Sequence, residues 1–145
     1  MKTIALRFGE SFSPECGTIA AHQRIIDALD YVWYGKLGAS VSAKVIEEMQ
    51  QTEDSMFLLI RSGKSERYWV HFNNVSTEQP SSSEYPQYYG EKAKAMKTWF
   101  KVTHFEPAAK DVMSHCFVAS SGKSLSEASK QSMSPYFIID YKEDK

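Results

Sequence analysis

The chain has 145 residues, enough for one domain with a true buried core. Its 17 Lys and Arg against 18 Asp and Glu leave a net charge of −1, which argues against a protein that coats nucleic acid through phosphates alone but not against a pocket that grips one nucleotide. Aromatic residues make up 13% of the chain, more than a core of this size needs, so some rings are expected at a surface or pocket.

In chain order, Thr3 to Phe8 reads as a strand with Ile4, Leu6 and Phe8 on one face. A loop follows, in which Ser11 and Ser13 supply hydroxyls and Pro14 stiffens the path. Thr18 is expected to cap a helix running to about Leu29, with Ile19, His22, Ile26 and Leu29 on one side. Tyr31 to Leu37 then suits a short strand, and Ser40 or Ser42 caps a second helix from Ala43 to about Gln51. Val45, Ile46 and Met49 form the buried stripe of that helix.

Met56 to Ile60 is continuously apolar and bounded by polar residues, the pattern of a strand buried on both faces. Arg67 to Val75 returns as its hairpin partner. Ser76 to Lys97 is a long connection, of a length that in a compact domain is functional or disordered. Thr98 to Phe105 is the next strand, and Ala108 to about Met113 one or two helical turns. Phe117 and Val118 form a weaker strand candidate. Ser124 to Glu127 has capping-box spacing and predicts a short helix to about Ser132, before a last strand from Pro135 to Tyr141. These elements predict one domain over 1–145, a strongly curved mixed sheet or open barrel flanked by short helices, of α+β class.

The octet Tyr31-Val32-Trp33-Tyr34-Gly35-Lys36-Leu37-Gly38 carries the chemistry. Strand alternation puts Trp33 and Gly35 on one face and Tyr34 and Lys36 on the other. An indole beside an open glycine backbone and a cation suits a flat anionic ligand such as a nucleotide. The competing reading is plainer and commoner: Trp33 as a core residue.

With its motifs in order, the chain resembles the EVE domain of the PUA-like group, whose relatives include YTH and ASCH domains. The likeness rests on Ser11-Phe12-Ser13-Pro14 after the first strand, and on Trp33-Tyr34-Gly35-Lys36 leading into a helix. It continues with Asp54 before Met56 to Ile60, a return strand ending at Val75, Tyr85-Pro86-Gln87-Tyr88-Tyr89, and a strand led by Trp99. It spans roughly residues 3 to 105. The chain departs from the family in having Ser13 where an acidic residue is usual and Lys36-Leu37-Gly38-Ala39 where a polar run follows the Trp.

The resemblance implies a PUA-like open β-barrel of about six strands. It also implies a nucleic-acid-binding module that reads a flipped, modified base of DNA or RNA in an aromatic cage. Trp33, Tyr34 and Trp69 are the expected walls; Trp69 is added from its strand position. Ser11 and Ser13 are expected to read the base edge, Lys36 to hold a phosphate, and Phe12, Gly35, Tyr88 and Tyr89 to border the mouth. Trp99 is assigned to the core.

No zinc-spaced Cys/His cluster is present, and Cys16 and Cys116 read as free thiols of a reducing compartment. No signal peptide or membrane span is expected, so the chain reads as soluble and cytoplasmic, without a cofactor or metal. Gly63-Lys64-Ser65 and Gly122-Lys123-Ser124 lack the first glycine of a P-loop and read as turns. Two other functions stay open. One is a small nucleoside-processing enzyme on an ASCH-type fold, with His71 or His104 as base. The other is a protein-interaction domain docking through the Tyr85 to Tyr89 loop.

Overall fold

The computed structural model describes residues 1–8, 17–38, 40–61, 66–132, 134 and 136–142. Its strands are β1 (Lys2–Phe8), β2 (Val32–Lys36), β3 (Met56–Arg61), β4 (Arg67–Ser76), β5 (Thr98–Pro107), β6 (Cys116–Val118) and β7 (Tyr136–Tyr141). The helices are α1 (Thr18–Leu29), α2 (Ala43–Met49) and α3 (Leu125–Gln131), with short 3₁₀ turns at Ser82–Glu84, Gln87–Ala95 and Val112–His115.

The strands form one sheet in the order β2-β5-β4-β3-β1-β7-β6. β1 and β3 run parallel; every other neighbouring pair is antiparallel. The expected hairpin is β3–β4, with Phe57 opposite Val70. β3 lies mid-sheet with Phe57, Leu58, Leu59 and Ile60 all buried, because both of its faces are covered. Among the described residues there are seven strands, not about six, because Cys116–Val118 completes a ladder with β7.

No ladder closes β2 onto β1 among the described residues, so the expected barrel is here an open sheet. The sheet nevertheless curls. Leu6 and Phe8 of β1 and Tyr34 and Lys36 of β2 line one cavity although three strands separate them in the sheet. Register shifts in β4–β5 between His71 and Val75 mark irregularities of the kind that bend a sheet.

The concave side buries Ile4, Leu6, Phe8, Tyr34, Phe57 and Phe100 against α1 and α2. The other side buries Leu58, Ile60, Trp69 and Ile139 against α3 and the Val112–His115 turn. A third cluster, Tyr85, Tyr89, Ala93, Met96 and Trp99, fastens the long connection to the sheet, with Trp33 and Tyr88 packed against it.

Two predicted caps are observed. Ser42 Oγ accepts from the Val45 N–H, and Ser124 Oγ from the Glu127 N–H, both at 3.3 Å. The turn before Ser124 agrees with reading Gly122-Lys123-Ser124 as a turn; Gly63-Lys64-Ser65 lies outside the described residues. The cap of α1 differs from expectation. Thr18 is already helical, and Gly17, at φ +89°, stands at the N-cap without a side chain to offer. Asp30 closes the other end in the left-handed conformation, its N–H 2.7 Å from the Ile26 carbonyl. No helix among the described residues is long and apolar enough to cross a membrane.

Candidate functional site

The curl leaves a cavity of about 260 Å³ between β1, the start of α1, β2 and the Gln87–Ala95 segment. Its apolar floor comes from Leu6 and Phe8, which alternation turns to the concave side. Its rings are Tyr34, Tyr88 and Tyr89, and its cations Lys36 and Lys92; Arg7 also borders it, but its guanidinium is turned to the α3 side of the sheet. Ser11, Phe12 and Ser13, expected at the base edge and mouth, lie outside the described residues, as does Cys16.

Tyr89 is held by a buried relay. Nδ1 of His22 faces the Thr18 carbonyl at 2.7 Å and so carries the hydrogen, donating it. Nε2 is then an acceptor, and it takes the Tyr89 hydroxyl hydrogen at 2.5 Å. The same phenolic oxygen accepts from the Gly35 N–H at 3.3 Å. β2 is an edge strand, and this contact satisfies a backbone donor that no neighbouring strand reaches. Burial lowers the His22 pKa to about 4, against the opposing pull of the Thr18 carbonyl, and burial holds the Tyr89 phenol well above its ordinary value. The relay therefore runs through neutral groups at neutral pH.

Gly35 is tight for a reason other than the one expected. A Cβ there would meet Met96 Sδ at 2.1 Å and Trp99 Cζ3 at 2.9 Å. The space beside the glycine is filled by the protein's own sulfur and indole, although its backbone borders the cavity. Lys36 is only 5% exposed; its Nζ donates to the Leu37 carbonyl at 3.2 Å and sits 4.3 Å from the Tyr136 ring centroid. Burial lowers its pKa.

The structure brings together Tyr34, Gly35, Lys36, Tyr88 and Tyr89 of the expected site. It does not bring Trp69 there. Trp69 packs edge-to-face on Tyr141, centroids 4.9 Å apart, in the cluster on the opposite side of the sheet. Its neighbours Tyr68 and Val70 point to the concave side, and one step along a strand reverses the face. Trp33, alternating with Tyr34, turns to the Tyr85–Trp99 cluster rather than the cavity. Trp99 is fully buried, with Nε1 donating to the Met96 carbonyl, and is the core residue expected.

Arg7, Thr18, Lys92 and Met96 are not assigned to the site from the sequence, where Thr18 reads only as a helix cap. Arg7 offered a signal as a cation inside an apolar strand. Its Nη2 donates to the carbonyls of Ser129 and Ser132 at 2.6 and 2.8 Å, occupying acceptors at the end of α3. Lys92 and Met96 lie in a segment without period, where no face could be read.

His71 has carboxylates on both sides, Asp54 Oδ1 at 2.8 Å from Nδ1 and Glu106 Oε1 at 2.7 Å from Nε2. His104 stacks on it at 3.9 Å. With both ring nitrogens engaged, neither is open to take a proton from a substrate. Cys116 is fully buried, its thiol pushed up to about 12 by burial, which removes it from nucleophilic chemistry. No group of three or more His, Cys, Asp or Glu among the described residues is arranged to hold a metal ion.

A family model described as Pua-like matches residues 4–143. No curated protein and no solved structure matches the chain.

Proposed function

The chain belongs to the PUA-like family, and from that premise we propose that it binds nucleic acid by taking one base, turned out of its stack, into the cavity between β1 and β2. PUA-like domains commonly bind RNA or other nucleic acids. The observation that carries the reading is the cavity itself, which joins three tyrosines, an apolar floor and two lysines. At about 260 Å³ it falls just below the roughly 300–1,000 Å³ of pockets for drug-sized ligands, which suits a single ring system.

The energetics are consistent with a base reader. A chain of net charge −1 gains little from non-specific phosphate attraction, so affinity has to come from the pocket. Extruding a base costs a few kcal/mol, and stacking on an aromatic ring returns about 1–3 kcal/mol per base. A methylated base carries less hydration at the methyl, and an apolar floor of Leu6 and Phe8 favours it over its parent. In this reading Tyr34 and Tyr88 form the walls, Ser11 and Ser13 read the edge, and Lys36 with Lys92 meets the nucleotide's own phosphate.

The two other readings draw less support. The enzyme reading takes His71 or His104 as base; His71 faces a carboxylate with each ring nitrogen, His104 stacks on it, and neither lines this cavity. The docking reading needs a loop detached from any pocket, whereas Tyr85 and Tyr89 are buried against Trp99 and the segment walls the cavity. NMR titration with free methylated and unmethylated nucleosides tests the assignment. Resonances of Leu6, Phe8, Thr18 and Tyr88 should shift with one methylated nucleoside; shifts confined to the Trp69 side would overturn it.

A further inference from the structure

Tyr88 lines two cavities. One is the pocket just described; the other is an open groove of about 510 Å³ between α1 and the connection after β4. The groove is bordered by Arg24 and Ile25 of α1 and by Ser82, Ser83 and Gln87 across from them. Arg24 is exposed and has no hydrogen-bond or ion-pair partner among the described residues. The acids nearby are engaged elsewhere. Asp27 accepts from Gln23 at 2.9 Å, and Glu84 accepts from the Tyr31 hydroxyl. Among the described residues no carboxylate lines the groove.

An unneutralised guanidinium, two hydroxyls, a carboxamide and the edge of a tyrosine shared with a base pocket are the groups that hold a nucleotide without reading it strictly. We propose that this groove takes the nucleotide adjacent to the extruded base, with Arg24 on the phosphodiester that joins them and Ser82, Ser83 and Gln87 on the neighbouring sugar and base. Two consecutive nucleotides then straddle Tyr88. The inference rests on reading the first cavity as a base pocket, and it makes the ligand a strand of at least two nucleotides rather than a free nucleoside. It also makes the strand single or locally opened at the site, because a neighbour seated in the groove has left its own stack.

The test is calorimetric titration of wild type, Arg24→Gln and Arg24→Lys with two sets of ligands. One set is cytidine, methylcytidine, adenosine and methyladenosine as free nucleosides. The other is trinucleotides carrying each of these bases between two thymidines. The expected result is that the trinucleotide of the preferred base binds more tightly than its nucleoside. Arg24→Gln should remove about ten-fold of trinucleotide affinity and lower the salt slope by about 0.7, the value of one single-strand phosphate contact. It should leave nucleoside affinity unchanged, and Arg24→Lys should keep most of the gain. If the nucleoside binds but the trinucleotide gains nothing, or Arg24→Gln changes neither affinity nor slope, the groove proposal fails and the base pocket stands. If no nucleoside and no trinucleotide binds, the base reading fails and the groove fails with it.

Discussion

The hydroxyl of Tyr89 lies 2.5 Å from Nε2 of His22, sixty-seven positions away in sequence, and that contact pins the connection after β4 onto α1. Because the same oxygen accepts from the Gly35 N–H, one phenol positions three walls of the cavity. Tyr89→Phe leaves a buried imidazole nitrogen and an edge-strand N–H without partners. The expected loss is about 1–3 kcal/mol of unfolding free energy, read as a lower urea midpoint at unchanged slope. An unchanged midpoint would show that the relay contributes nothing to the fold.

The same relay predicts acid sensitivity. His22 has a folded pKa of about 4 against 6.5 when unfolded. Between those values the unfolded chain binds the proton and the folded chain does not. The contribution is therefore complete above pH 6.5 and falls away as the pH drops toward 4, by roughly 3 kcal/mol in all. Between pH 7 and 5, wild type should lose about 2 kcal/mol more than His22→Gln, whose amide cannot titrate. Parallel losses in urea unfolding at the two pH values would contradict the neutral assignment.

Gly35→Ala places a methyl on Met96 Sδ and Trp99 Cζ3. Overpacking of this kind costs about 1–3 kcal/mol. Because Met96 is the nearer and more flexible obstacle, Gly35→Ala and Met96→Ala should be non-additive, the double variant being more stable than the sum of its parts. Additive losses in a thermal-unfolding cycle would place the obstruction elsewhere.

Lys36→Met removes a buried ammonium that sits over the Tyr136 ring and puts a thioether of similar length in its place. Stability should hold or rise, since the ammonium's desolvation is relieved and the stem's volume is kept. Binding of a nucleoside monophosphate should weaken by about ten-fold, the scale of one charged hydrogen bond, with little change for the nucleoside. Equal weakening of both would assign Lys36 to the base edge instead of the phosphate.

Much of the fold was legible because it is periodic. The apolar run of Met56 to Ile60, the alternation in Thr3 to Phe8 and the caps at Ser42 and Ser124 each depend on residues close in sequence. The candidate site was legible only in part. Alternation separates Trp33 from Tyr34 and Trp69 from Val70, but it does not say which face meets the cavity, so both tryptophans were expected there in error of placement. The open backbone at Gly35 misled for a related reason: its occupants, Met96 and Trp99, come from another strand and the turn before it. Leu6 and Phe8 of β1 meet Tyr34 and Lys36 of β2 in the pocket only because the sheet curls, and irregularities such as those at His71 and Phe72, which composition does not announce, are of the kind that bend a sheet.

The most direct measurement is calorimetric titration of wild type and Tyr88→Ala with single-stranded oligonucleotides that differ only in one methylated or unmethylated base. Tyr88 is half-buried, so the variant should fold, which its circular dichroism checks. The account predicts that one modified base binds more tightly than its parent, and that Tyr88→Ala costs about 1–3 kcal/mol, roughly 5- to 150-fold. Equal binding of modified and parent bases, or an affinity untouched in a folded Tyr88→Ala, would contradict the claim that this cavity reads a base.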